Sequence, residues 1–233
     1  MKKVIPSAWE FIKRAKNIYV KRENFLYLTK VNLAGILVSF VILIPTFVFS
    51  EFGQSMENGN FNGIPIYIIF YFLFSIVASI VWGLWFKVAL IKAVSLVVNE
   101  KTFGVKETFK DVMRRVWPYA LISFLLGLAI IFGFILLIVP GVIMAVWYSL
   151  SSFIVVVKEI KVREALRESK ALVNGYFWQV LGRGLAFLVF YFVLEIALSS
   201  VPYIGPFVVL FISPYFVLLP YLMYEELLKI TPR

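Results

Sequence analysis

Apolar runs long enough to cross a membrane alternate along this chain with segments in which charged residues recur at helical spacing. Val31 to Ser50 is uncharged for twenty residues and Ile64 to Phe86 for twenty-three. At about 1.5 Å per residue, either run crosses a hydrocarbon core of roughly 30 Å. Pro118 to Val139 and Gly141 to Val157 are separated only by Pro140-Gly141, whose fixed and permissive dihedrals predict a tight turn and an antiparallel pair. Gln179 to Ser199 and Ile204 to Tyr224 complete the series, with Val201-Pro202-Tyr203 turning the chain between them. The prediction is an all-α bundle of six spans, 31–50, 64–86, 118–139, 141–157, 179–199 and 204–224, in one membrane domain covering 1–233.

Three of the polar segments carry one apolar face. Ala8, Phe11, Ile12, Ala15 and Ile18 share such a face; so do Val105, Phe109, Val112 and Val116, and so do Val162, Ala165, Leu166, Ser169, Leu172 and Val173. Each segment predicts an amphipathic helix on the membrane surface. VKETFKD at 105–111 matches VREALRE at 162–168 pair by pair, which predicts a repeated unit of surface helix plus hairpin. Residues 7–19 share the pattern but not the residues. Glu51 to Gly63 is rich in Asn and Gly and reads as a turn-forming loop.

Charge sets the polarity. Lys and Arg number 8 before Val31, 7 from Lys87 to Arg115, 6 from Lys158 to Arg183 and 2 in the tail, which accounts for all 23. The connections on the other side contain none, so the positive-inside rule predicts a multi-pass protein of the cell membrane with both termini cytoplasmic. A long basic segment precedes the first run without a cleavage-like site after it, so that span is expected to be retained. The same placement points the formal charge of +10 at anionic lipid headgroups rather than nucleic acid. Candidate headgroup contacts are Lys13, Arg14, Lys16, Arg114, Arg115, Arg163, Arg167 and Arg183. Trp9, Trp82, Trp85, Trp117 and Trp178 fall near that face, as an aromatic belt would.

An apolar share of 62% exceeds the ~45–50% of soluble domains. The chain has no Cys, no His and a single Asp, Asp111, so disulfide, zinc, two-metal and Ser-His-Asp chemistry has no residues to build on. No catalytic set, metal site or cofactor is expected. The expected partners are membrane lipids, with a protein partner or a second copy of the chain as further possibilities. Within the spans, Ser75, Ser79 and Gly83 recur every four residues, a stripe of small side chains that predicts close helix packing.

Glu195 is the acidic residue embedded in a span. One reading makes it part of a polar pocket with Tyr191 and Ser199, one turn away on either side, and with the carbonyl of Leu210, which Pro214 cannot pair. The other reading has Glu195 hydrated near the exterior, where it merely ends the span. The first supports a carrier or channel for a small solute or lipid, as the alternative to a non-enzymatic membrane module.

Pro140-Gly141, Glu159, Ala165-Leu166 with Ser169, Leu172, Gly175, Trp178 and Leu181-Gly182 follow one another in an order that resembles the glycerophosphoryl diester phosphodiesterase membrane-domain superfamily. The resemblance covers roughly 137–185. It implies a polytopic membrane module, which in some members of that group is fused to a phosphodiesterase domain, and carries over no catalytic residue, because the membrane module has none to transfer.

Overall fold

The structure is a computed structural model. It describes residues 4–57, 66–101, 104–136, 138–201 and 204–231, and their side chains except at 40–57, 66–69, 71–72, 134–136, 138, 199, 204 and 206–207. Every regular element among the described residues is helical: α1 (Ala8–Val20), α2 (Arg22–Glu57), α3 (Ile66–Val98), α4 (Val105–Asp111), a 3₁₀ turn (Met113–Arg115), α5 (Val116–Leu136), α6 (Ile138–Tyr148), α7 (Ser151–Lys158), α8 (Val162–Val173), α9 (Phe177–Ser199) and α10 (Ile204–Ile230).

Among the described residues, five stretches are long and apolar enough to cross a membrane: Leu73–Val98, Val105–Gly133, Val139–Lys158, Phe177–Leu198 and Val208–Ile230. The run expected at 31–50 lies within α2, but its side chains from 40 onward are outside the described residues. α2 itself begins at Arg22 and continues to Glu57, so the first part of the expected 51–63 loop is helical and the rest is outside the described residues. Large apolar side chains such as Phe124, Val193 and Ile196 point outward and are more than half exposed, which only a hydrocarbon solvent makes favourable over a whole surface.

Among the described side chains, burial concentrates at one end. The residues closed off from solvent lie at the starts of α2 and α5, at the ends of α3 and α10, in α7, and on the inner faces of α1 and α8. That is the end at which Lys and Arg cluster. Connections here are short and fixed by local chemistry. Ser7 and Glu10 cap α1 reciprocally, and Glu107 accepts the Gly104 N–H at the start of α4. Glu100 and Glu159, just past α3 and α7, hold left-handed backbone with φ of 54° and 58°. At Glu100 the Lys101 N–H reaches back to the Leu96 carbonyl at 2.8 Å, a C-terminal cap normally built on glycine.

Two expectations about the middle of the chain are corrected. α5 ends at Leu136 and α6 begins at Ile138, so Pro140 and Gly141 lie in the first turn of α6 rather than forming the reversal. Pro140 is tolerated there because an N–H in the first helical turn has no partner to lose. Gly141 instead supplies the close approach: a Cβ on Gly133 would stand 2.4 Å from its Cα. The expected span 141–157 falls within the membrane-length stretch Val139–Lys158, but it is not one continuous helix: it breaks into α6 and α7 at Ser149–Leu150. The Ser149 and Ser151 hydroxyls donate to the carbonyls of Val146 and Tyr148, satisfying backbone groups that the break frees.

Candidate functional site at the basic end

α1, α4 and α8 lie against the basic end with their small or apolar faces turned inward. Phe11 and Ala15 of α1, Thr108 with the following Val112, and Ala165 and Ser169 of α8 are all at most 1% exposed, and each pair is spaced by four residues. An acidic residue occupies the first turn in each case, Glu10, Glu107 and Glu164. These faces therefore pack on protein, not on acyl chains as a surface helix would. Phe11 meets Phe187 of α9 edge-on, Tyr27 of α2 and Thr108 share a buried hydrogen bond at 2.6 Å, and Ser169 donates to the Trp147 carbonyl at 2.7 Å.

The eight basic candidates divide into two groups. Lys13, Lys16, Arg114, Arg163 and Arg167 are exposed and have no ion pair among the described residues. Arg14 is half-exposed and pairs with Glu226 of α10 at 3.4 Å. Arg115 and Arg183 face inward. Arg115 is 7% exposed and donates to the Val156 carbonyl at 3.0 Å and to Glu159, while Asp111 bridges it to Lys92 of α3 at 3.1 and 3.2 Å. Arg183 donates to the carbonyls of Ile5, Pro6 and Gln179, and the Gln179 side chain accepts the Ile5 N–H, which clasps the N-terminal segment onto α9. Arg115 is thereby closed off from a headgroup, whereas Arg183 stays partly exposed. Lys158 likewise pairs with Glu168 of α8 instead of reaching for the membrane surface.

The tryptophans divide similarly. Trp9, Trp117 and Trp178 are 61%, 78% and 79% exposed, as an interfacial belt requires. Trp82 and Trp85 are structural: Trp82 donates to the Gly35 carbonyl of α2 and stacks on Phe109 of α4, and Trp85 donates to the Phe109 carbonyl. The small-residue stripe is only partly used. Ser75 is buried, but a Cβ on Gly83 would meet nothing within 4 Å. The close approaches are at Gly35 and Gly133, which had no periodic signal.

The candidate polar pocket is also rearranged. Tyr191 and Glu195 are hydrogen-bonded to one another, and the Tyr191 ring stands edge-on to Phe216 of α10 at 4.8 Å. Ser199 ends α9, and its side chain is outside the described residues. The Leu210 carbonyl freed by buried Pro214 accepts from Asn32 of α2, with the Ser213 hydroxyl donating to both Leu210 and Asn32 at 3.1 Å. One residue on, the Tyr19 hydroxyl donates to the Phe211 carbonyl; burial raises its pKa above the ordinary phenol value, which keeps it a donor. Asn32, 2% exposed in an otherwise apolar run, was the signal that sequence reasoning passed over. Asn32→Leu is expected to cost about 1–2 kcal/mol, since it strands a carbonyl inside the bundle. Thermal unfolding in detergent tests this, with Asn32→Asp as the variant that keeps an acceptor but loses the donor; an unchanged melting temperature for both would refute the assignment.

Five membrane-length helices with an apolar exterior define the class: an integral membrane protein. Comparison with known proteins finds no matching family model, no matching curated protein and no matching solved structure.

Proposed function

We propose that this chain is a non-enzymatic, six-span membrane module whose basic end, on the cytoplasmic side of the cell membrane, holds anionic lipid headgroups. The observation that carries this reading is the outward placement of Lys13, Lys16, Arg114, Arg163 and Arg167 while the opposite faces of the same segments are buried. Each such cation contributes about 1 kcal/mol of attraction to an anionic surface within a Debye length. Exposed Trp9, Trp117 and Trp178 fall in the same part of the chain and fit headgroup depth. The module is a threefold series of short amphipathic helix docked on the bundle plus hairpin, α1 with α2–α3, α4 with α5–α7, and α8 with α9–α10. The acidic first turn and the buried pair four residues apart recur in all three units and support the series. The carrier reading has less support, because the Leu210 carbonyl is already bonded by Asn32.

The test is native mass spectrometry of the purified full chain with phosphatidylglycerol and phosphatidylcholine. Wild type is expected to retain the anionic lipid at least about tenfold more strongly, with the preference fading at high salt. Replacing Lys13, Lys16, Arg163 and Arg167 together by Gln should remove the preference without changing the melting temperature. Equal retention of both lipids by wild type would overturn the reading.

A further inference from the structure

A crevice of about 570 Å³ opens between the α6–α7 break, α9 and α10. Its walls include Val146, Leu181, Phe187, Leu188, Phe216 and Met223, and they are almost wholly apolar. Along α9 the lining runs from Val180 to Tyr191, roughly 16 Å at 1.5 Å per residue. Gly184 leaves a gap in this wall, since a Cβ there would meet nothing within 4 Å. Leu185 and Leu188, at the lip, are 54% and 50% exposed.

We infer that this crevice seats one acyl chain of a bilayer phospholipid, entering sideways from the membrane. Its walls belong to three membrane-length stretches, so the medium at its mouth is hydrocarbon. A trough lying along a spanning helix has the direction in which acyl chains run. The polar groups that border it are already engaged: Ser149 donates to the Val146 carbonyl and Tyr191 is bonded with Glu195. Nothing in the lining offers a polar solute the partners it would give up in water, whereas a tail needs none. The kink at Ser149–Leu150 makes the space, because a straight α6–α7 helix would carry its side chains along α9 without interruption.

The inference rests on the membrane placement of α9 and α10 and is independent of headgroup charge. The full chain is reconstituted in phosphatidylcholine carrying a photoactivatable diazirine on one acyl chain, irradiated, and mapped by mass spectrometry. Residues 145–149 and 180–191 on the crevice side are expected to carry about tenfold more adduct than Leu121 and Phe124, which are comparably exposed on α5. Gly184→Trp fills the trough and should remove the excess while leaving the α5 adducts unchanged; Gly182→Trp, equally open but outside the lining, should change neither. Adducts that merely follow exposure would overturn the proposal, as would an excess that survives Gly184→Trp. The wild-type comparison decides by itself should that variant fail to fold. A zwitterionic probe keeps this outcome separate from the failure of the anionic headgroup reading.

Discussion

Arg115→Ala is expected to destabilise the bundle by about 3 kcal/mol, which for a chain of this size lowers the melting temperature by roughly 6–12 °C. The guanidinium is buried at the junction of the 3₁₀ turn with α7, and it ties together the Val156 carbonyl, Glu159 and Asp111. Removing it leaves two carboxylates beside a main-chain carbonyl with no cation among them except Lys92 on Asp111. Asp111 and Glu159 are 49% and 58% exposed, so water recovers part of the loss and the cost falls at the lower end for buried ion pairs. Glu159 also sits in left-handed backbone, a strain that persists only while its surroundings hold it. Arg115→Lys should restore part of the stability, since an ammonium replaces the charge but not the fork of donors. A melting temperature for Arg115→Ala within 2 °C of wild type would show that the network does not stabilise the fold.

The second large effect is a contrast between two glycines in the same kind of helix. Gly133→Ala is expected to cost about 3 kcal/mol, the upper end for overpacking, because the new Cβ would stand 2.4 Å from the Gly141 Cα and 2.8 Å from its nitrogen. The obstacle is main chain, which cannot rotate away as a side chain does. Gly182→Ala meets nothing within 4 Å and should be neutral or stabilising by up to about 1 kcal/mol, the usual difference in helix propensity. Opposite signs in detergent melting curves are the expected result. A Gly133→Ala variant as stable as wild type would mean that α5 and α6 do not approach as closely as 133 and 141 require.

Sequence pattern reads the fold through terms that act locally. The apolar runs at 64–86, 118–139, 179–199 and 204–224, of which only 179–199 carries charges, Arg183 and Glu195, each overlap a membrane-length helix, since a run of that length has no soluble alternative that buries it. The surface segments at 7–19, 105–111 and 162–173 are helical because apolar spacing and an acidic first turn are both helix signals. Pattern misleads where two elements compete for one group. Pro140-Gly141 carries turn chemistry, yet both residues lie in the first turn of α6, where Gly141 makes the close contact with Gly133. The Leu210 carbonyl was identifiable as unpaired from Pro214 alone, but its partner is Asn32, 178 residues away, rather than Glu195.

Alone, then, the sequence determined that this is a helical membrane protein with its positive charge in the polar segments between alternate pairs of apolar runs, because hydropathy and charge placement are sums over neighbouring residues. Tertiary structure decided which of those charges face outward. Lys13, Lys16, Arg114, Arg163 and Arg167 and their counterparts Arg115 and Arg183 are the same residue types in similar basic segments, and only the packing of α4 on α3, the reach of the 3₁₀ turn to α7, and the clasp of the N-terminal segment on α9 separate them. It also decided that α6 and α7 break apart beside α9. For the two arginines the physical reason is that a donor drawn out of water must find an acceptor, and the acceptors of Arg115 at Val156 and of Arg183 at Pro6 lie far away along the chain.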